Sequence, residues 1–294
     1  MSCALIVTAD DFGMSLEVNE AVEEAHRRGI LTCASLVVTG EAAEDAVRRA
    51  RRMPELGVGL HLALLAAPPA SPPDAVPALM HPGGGLGFAP GLTGMRIALS
   101  GAVREQVRRE TRAQLNLFRR TGLPLDHLDG HWHFHQHPWI LGIVVGLAAE
   151  YGIRAVRVPY EPAFPSWRAA GRRSLPRRIG MAGAHRLLAA HMRRRLRAAG
   201  IAANDWFFGM YDGGALDAGY LLRLIADPLP GITEIGLHPA TRRWSGPHAP
   251  PGDWRAEDEL AALIDPRLRE ACRSGPARLI RFADLAPGTR VLAA

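Results

Sequence analysis

Ala4-Leu-Ile-Val-Thr-Ala-Asp-Asp11 is the stretch that decides the fold. A short apolar run ending in two acids reads as a strand buried on both faces, delivering carboxylates at its C-terminal end. Such strands belong to parallel sheets covered by helices, so the rest of the chain should alternate strand with helix. It does. Ser15 fits an N-cap, Glu17 falls in the first turn, and Gly29 closes a helix from Leu16 to Arg28. A second strand follows from Leu31 to Thr39, a helix from Glu41 to Met53, and a third strand from Val58 to Leu64 with His61 inside it. Ser100 caps a long helix to about Thr121, Leu125 to His131 is a fourth strand, and Pro138 begins a helix to Tyr151. Ile153 to Val158 is a fifth strand. A helix from Met181 to Ala199, a strand from Trp206 to Met210, a helix from Tyr220 to Ala226 and a strand from Thr233 to His238 continue the alternation. One helix from Glu257 to Arg273 and a strand from Arg278 to Phe282 complete it.

At 294 residues with no compositional break, the chain is expected to be one α/β domain over residues 1–294, its parallel sheet open or closed into a barrel. Two long insertions stand out. Residues 66–94 hold seven prolines and six glycines, and residues 160–205 carry an arginine-rich loop and helix. Three scattered cysteines make disulfides or a thiolate zinc site improbable. No apolar run approaches the roughly 18 residues of a spanning helix. The first ten residues lack the basic segment of a signal peptide, so the expected compartment is the cytoplasm.

Chemistry concentrates in His127-Leu-Asp-Gly-His-Trp-His-Phe-His-Gln-His137, which holds five of the twelve histidines. If this stretch is extended, its histidines and Asp129 share one face, and Leu128, Trp132 and Phe134 share the other. A face of that kind suits a metal, a polar substrate, or both. Asp10, Asp11, His61, Asp129, His131 and His238 all fall at or near strand C-terminal ends, where parallel α/β folds build their sites. Singly, each has a plain structural reading: a turn-capping acid pair, a core histidine, a strand terminator. Together they fit a hydrolytic centre in which one divalent ion takes about three protein ligands and leaves room for water.

Thr8-Ala-Asp-Asp-Phe-Gly-Met14, Gly59-Leu-His-Leu62, His127-Leu-Asp-Gly-His-Trp-His-Phe-His135 and Glu234-Ile-Gly-Leu-His-Pro239 resemble, in order and spacing, the motifs of the YdjC-like carbohydrate deacetylases. Within that family the chain resembles the branch associated with hopanoid biosynthesis. The resemblance implies a distorted (β/α) TIM-like barrel with long loops at its C-terminal rim. It also implies removal of acetyl groups from N-acetylated amino sugars with one divalent ion, Mg²⁺ or Zn²⁺. By motif, Asp11, His61 and His131 correspond to the metal ligands. Asp10 corresponds to the general base and His238 to the acid that protonates the leaving amine. His127, Asp129, His133 and His135 correspond to substrate-binding or supporting residues.

Between Pro162 and Asn204 lie ten arginines and no acid. This is a solvated basic face or, with Leu187, Leu188, Met192 and Leu196 at helical spacing, a surface for anionic lipid over Arg168 to Arg197. The second reading would suit a lipid-linked sugar and peripheral contact with the inner membrane face. Nucleic acid is not expected, because aromatics are not interleaved with the arginines. Two rivals to a deacetylase stand: a metal-dependent hydrolase of another bond such as a phosphoester, and a metal-binding or membrane-adaptor protein without catalysis.

Overall fold

Strand β1 (Cys3–Phe12) is buried over its last eight residues, and the sheet is arranged about it. The computed structural model describes residues 3–87, 89–245 and 249–285, so the expected domain limits, 1 and 294, lie outside the described residues. In parallel, β1 pairs with β2 (Cys33–Leu36) on one side and β6 (Gly231–Leu237) on the other. A short strand, β7 (Ala277–Leu279), pairs with its first three residues. Beyond β2 come β3 (Gly57–Leu62) and β4 (Leu128–Gly130), and beyond β6 comes β5 (Trp206–Phe208).

Irregular segments join the two outer edges. Leu128 bridges to Val156, Ala155 bridges to Ala202, and the N–H of Phe207 donates to the carbonyl of Tyr160 at 3.0 Å. The expected fifth strand therefore occupies its place without forming a ladder. One reason is local: the Asn204 amide accepts from the N–H of Val158 at 2.7 Å and donates to its carbonyl at 3.0 Å, taking both backbone groups. Curled and closed in this way, the sheet is a distorted (β/α) barrel.

Helix α1 (Leu16–Arg28) begins where expected, with Ser15 Oγ accepting from the N–H of Val18. After α2 (Ala43–Ala50), the proline-rich stretch is pinned rather than loose. Buried Glu110 accepts from the N–H groups of Ala70 and Ser71 at 2.7 and 2.9 Å, and Gln106 accepts from that of Ala78. Its end forms α3 (Pro90–Leu99), a helix that the glycines at 91 and 94 conceal in the sequence. Then come α4 (Gly101–Arg120), capped by Ser100, and α5 (Pro138–Tyr151), ended by Gly152 at φ 70°. The arginine-rich insertion folds as α6 (Ala163–Ala169) and α7 (Leu175–Ala198). After α8 (Ala218–Ala226), the single helix expected to reach Arg273 is two, α9 (Ala256–Leu263) and α10 (Pro266–Ser274). Pro266 has no N–H to continue α9, and Asp265 caps the new start.

The stripe expected to face lipid on α7 is divided. Met192 and Leu196 are buried in the core, Leu188 is half-buried, and only Leu187 stands exposed. Arg178 is buried as well, donating to Asp212 at 2.8 Å and to Ser166 Oγ. Among the described residues no helix is long and apolar enough to cross a membrane.

Candidate active site

In a regular strand Asp10 and Asp11 would point to opposite faces. Here the register between β1 and β2 slips: Ala9 pairs with Ala34 but Phe12 pairs with Leu36, so β1 carries one extra residue. Asp11 sits in that bulge with φ 63°, and both carboxylates serve the same end of the barrel. Gly13, at φ 94°, follows so closely against Leu36 and Val37 that a Cβ would come within 3.0 Å of each.

The histidine-rich stretch does not remain extended. β4 stops at Gly130, and His131–Gln136 forms a 3-10 turn in which Trp132 and His133 take φ of 56° and 52°. The expected common face is thereby broken up. Left-handed backbone at a residue other than glycine costs on the order of 1 kcal/mol, and Asp11, Trp132 and His133 all sit in it around one cleft. His131 turns toward Asp11, His133 packs on Phe207, and His135 lies beneath with Nε2 2.9 Å from the carbonyl of Arg157. His127 points away from the cleft altogether, stacked on Phe282.

The strand ends bring Asp10, Asp11, His61, Asp129, His131 and His238 together. Asp11 Oδ1 is 2.9 Å from His131 Nδ1 and 3.5 Å from His61 Nε2. Close as these contacts are, the buried oxygen makes no well-formed hydrogen bond with either nitrogen. One ligand atom from each of the three residues lies within 4.8 Å of the others. That is what a cation between them requires: a carboxylate oxygen and two ring nitrogens, converging and otherwise unused. The far nitrogen of His61, Nδ1, is 2.8 Å from Asp129 Oδ1. Burial pushes the Asp11 carboxyl up, but His131, His238 and His61 together hold it well below the usual carboxylate range.

Arg157, a residue to which the sequence assigns no role, stands behind this group, fully buried. Its guanidinium grips Asp10 with two bonds of 2.7 and 2.8 Å, reaches Asp129 Oδ2 at 2.7 Å, and meets Glu234 Oε1 through both Nε and a terminal nitrogen. Thr8 Oγ1 also donates to that Glu234 oxygen. Asp10 Oδ2 is 4.0 Å from His238 Nε2. The backbone N–H of His238 donates to buried Glu259, and its ring packs 4.3 Å from that of Trp254. Burial lowers the pKa of His238, although Asp11 and Asp10 pull the other way. Burial lowers His133 well below its ordinary value and His135 to about 4.

A cleft of about 350 Å³ opens over these groups, lined among others by Asp10, His61, His131, Trp132, Tyr211 and Trp254. His185 of α7 also lines it, with Nδ1 3.0 Å from Gln136 Oε1, so the arginine-rich insertion supplies part of the wall. A second pocket of about 200 Å³ lies at the start of β1, beside Ala4, Leu5 and Leu224, far from the acids and imidazoles. It has no share in this chemistry.

The loop carrying Tyr211 is fixed by Glu161, whose Oε2 accepts from the N–H groups of Gly209, Met210 and Tyr211. Burial raises the Glu161 carboxyl to about 7, although Ser166 and the N–H donors pull it down. A folded pKa above the unfolded value means that this group favours folding below about pH 4.5, and the benefit is lost as pH rises through 7. At about 1.4 kcal/mol per unit, the full change is roughly 3 kcal/mol. Thermal melts of Glu161→Gln should therefore vary less with pH than wild type between pH 5 and 8; equal slopes would rule out this assignment.

A parallel α/β barrel with a three-ligand cradle at its strand ends, set beside a paired acid and histidine, defines a barrel protein with a candidate catalytic metal centre. More narrowly, the chain belongs to the YdjC-like protein family, whose model matches residues 4–274. It is 32% identical over 309 residues to a carbohydrate deacetylase of Mus musculus, covering 96% of this chain and 94% of that protein. It is 47% identical over 156 residues to a carbohydrate deacetylase of Brevibacillus brevis; that match covers 53% of this chain and spans only 59% of the relative's length. A solved structure from Enterococcus faecalis V583 shares the fold, with a TM-score of 0.72 at 23% identity over 97% of this chain and all of that one.

Proposed function

We propose that the chain is a metal-dependent N-deacetylase acting on an N-acetylglucosamine-type sugar, free or lipid-linked. In this reading Asp11, His61 and His131 hold the ion, Asp10 is the general base and His238 the general acid. The observation that carries it is the unpartnered, buried Asp11 oxygen facing two ring nitrogens, directly beside the Asp10–His238 pair. A carboxylate with two imidazoles suits Zn²⁺, Mn²⁺ or Co²⁺ better than Mg²⁺. When bound, the ion supplies the positive charge that acidifies water and polarises an amide carbonyl.

The chain's own residues account for the proton traffic. Asp10 Oδ2 takes a proton from the attacking water, and its two bonds to Arg157 fix where that oxygen points. An amide nitrogen is a poor leaving group unless protonated. His238 Nε2, within 4.0 Å of Asp10 Oδ2, is placed to return a proton to it as the C–N bond breaks. Burial favours the neutral form of the His238 ring, which can take up a proton that Asp10 has drawn from water and pass it to the amine. Trp132, Tyr211 and Trp254 give the cleft aromatic faces suited to a sugar ring.

A phosphoester hydrolase of the two-ion type would need a second ion about 3.5–4 Å from the first. The neighbouring group able to hold one, Asp10 with His61 and Asp129, already takes the Arg157 guanidinium. The deciding experiment is acetate release from free N-acetylglucosamine, chitooligosaccharides and vesicle-embedded, lipid-linked N-acetylglucosamine. Chelation should lower release at least 100-fold, and Zn²⁺, Mn²⁺ or Co²⁺ should restore it. Phosphate release from aryl phosphodiesters with no acetate from any sugar would overturn the proposal.

A further inference from the structure

Behind Asp129 runs a line of buried side chains that this proton traffic does not use. Ser35, on β2, donates from Oγ to Asp129 Oδ2 at 2.8 Å and lies 3.0 Å from His127 Nε2. The other ring nitrogen, His127 Nδ1, is 2.9 Å from Asp126 Oδ2, and Asp126 Oδ1 accepts from the N–H of Ala283 at 2.9 Å. Ser35, His127 and Asp129 are fully buried and Asp126 nearly so. The ring has a prepared seat: Phe282 stacks on it at 4.5 Å, and a Cβ on Gly59 of β3 would fall 2.5 Å from it.

A hydroxyl has one hydrogen, and that of Ser35 goes to Asp129. The contact from His127 Nε2 is then a donation to the hydroxyl oxygen, while Nδ1 donates to a carboxylate. Both nitrogens carry hydrogen, so His127 is an imidazolium with Asp126 as its counter-ion. Cys33, Asp126 and His127 also converge closely enough to suggest a second metal site. Yet both His127 nitrogens carry hydrogen, and the Cys33 thiol donates its own to Asp126 Oδ2 at 3.6 Å, so neither the ring nor the sulfur is in the form that binds an ion.

The line ends on a carboxylate with two rival partners. Asp129 offers Oδ1 to His61 Nδ1 and Oδ2 to Arg157, each within 2.8 Å. Rotation of that carboxylate toward the guanidinium would release His61, and the Ser35 hydroxyl opposes the rotation by holding Oδ2. We infer that Asp126, His127 and Ser35 are positioning residues. Through Asp129 they keep His61 in the tautomer with hydrogen on Nδ1 and the Nε2 lone pair free toward Asp11. The inference rests on the metal centre proposed above. Partners of this kind typically change metal affinity 10–100-fold.

The test measures Zn²⁺ affinity by chelator competition in Ser35→Ala and Ser35→Thr, with ¹⁵N NMR of the histidines in the zinc-loaded wild type. Ser35→Ala should bind Zn²⁺ 10–100-fold more weakly, and Ser35→Thr, which retains the hydroxyl, should return to within about threefold of wild type. The spectra should show hydrogen on His61 Nδ1 and on both nitrogens of His127. Wild-type affinity in Ser35→Ala, a neutral His127 ring, or zinc on His61 Nδ1 would each overturn the inference, and the spectra decide even if the variant does not fold. Wild-type protein that binds zinc at these residues yet releases no acetate would defeat the deacetylase proposal while leaving this one intact.

Discussion

Asp10→Asn should lower acetate release by 10²–10⁴-fold, the range expected when a positioned general base is removed, while the protein still folds and still binds its ion. Asparagine keeps the shape and one acceptor oxygen but cannot take a proton from water. Folding should survive because Arg157 keeps two carboxylate partners, Asp129 and Glu234. The metal cradle should survive because its carboxylate comes from Asp11, which sits in the bulge after Asp10. The measurements are kcat for acetate release, Zn²⁺ affinity and a thermal melt. Activity within fivefold of wild type would remove Asp10 as the base, and an unchanged cellular role without any acetate release would favour the binding-only alternative. Loss of zinc binding alongside activity would instead mean that Asp10 is a ligand.

The site is legible in the sequence to the extent that each of its residues interrupts an apolar run at a strand end. Asp10 and Asp11 after Ala4–Ala9, His61 within Gly59–Leu62 and His238 before Pro239 all carry that mark, and the structure gathers them. Glu234 carries a similar one, a lone charge inside an apolar strand, and Arg157 stands between Val156 and Val158. Nothing local, however, tells Arg157 that its partner Asp10 lies 147 residues away. The alternation of His127–His137 misleads for a different reason. Period-two patterning predicts an extended face, but the chain turns after Gly130 through Trp132 and His133, whose left-handed φ values have no glycine to announce them. Ser35 is hidden because a small hydroxyl between Ala34 and Leu36 is indistinguishable from strand filler until Asp129 and His127 arrive beside it. Helix α3 is hidden by its glycines and Pro90, which describe a loop equally well.

Arg157→Met should be the most destabilising single change in the barrel, at about 3–5 kcal/mol. The guanidinium is the shared cation of Asp10, Asp129 and Glu234, all at most 2% exposed. Methionine fills part of the volume and keeps a contact with the Phe207 ring, over which the guanidinium lies at 4.9 Å, but it leaves three buried carboxyls without their counter-charge. For a chain of 294 residues that loss corresponds to a fall in Tm of roughly 5–8 °C. The pH dependence follows from the same charges. Arg157 and His61 hold Asp129 well below its ordinary pKa against its burial, whereas burial already raises Glu234 despite Arg157. Without the cation the pKa values of Asp129 and Glu234 rise, so the deficit should be largest near pH 8 and shrink toward pH 5 as protons replace it. Adding Glu234→Gln to Arg157→Met removes one stranded charge and should recover part of the loss, a coupling that a double-mutant cycle measures directly. A single variant melting within 2 °C of wild type at pH 8 would mean that the three carboxyls do not depend on Arg157, and the account of how Asp10 is aimed would fall with it.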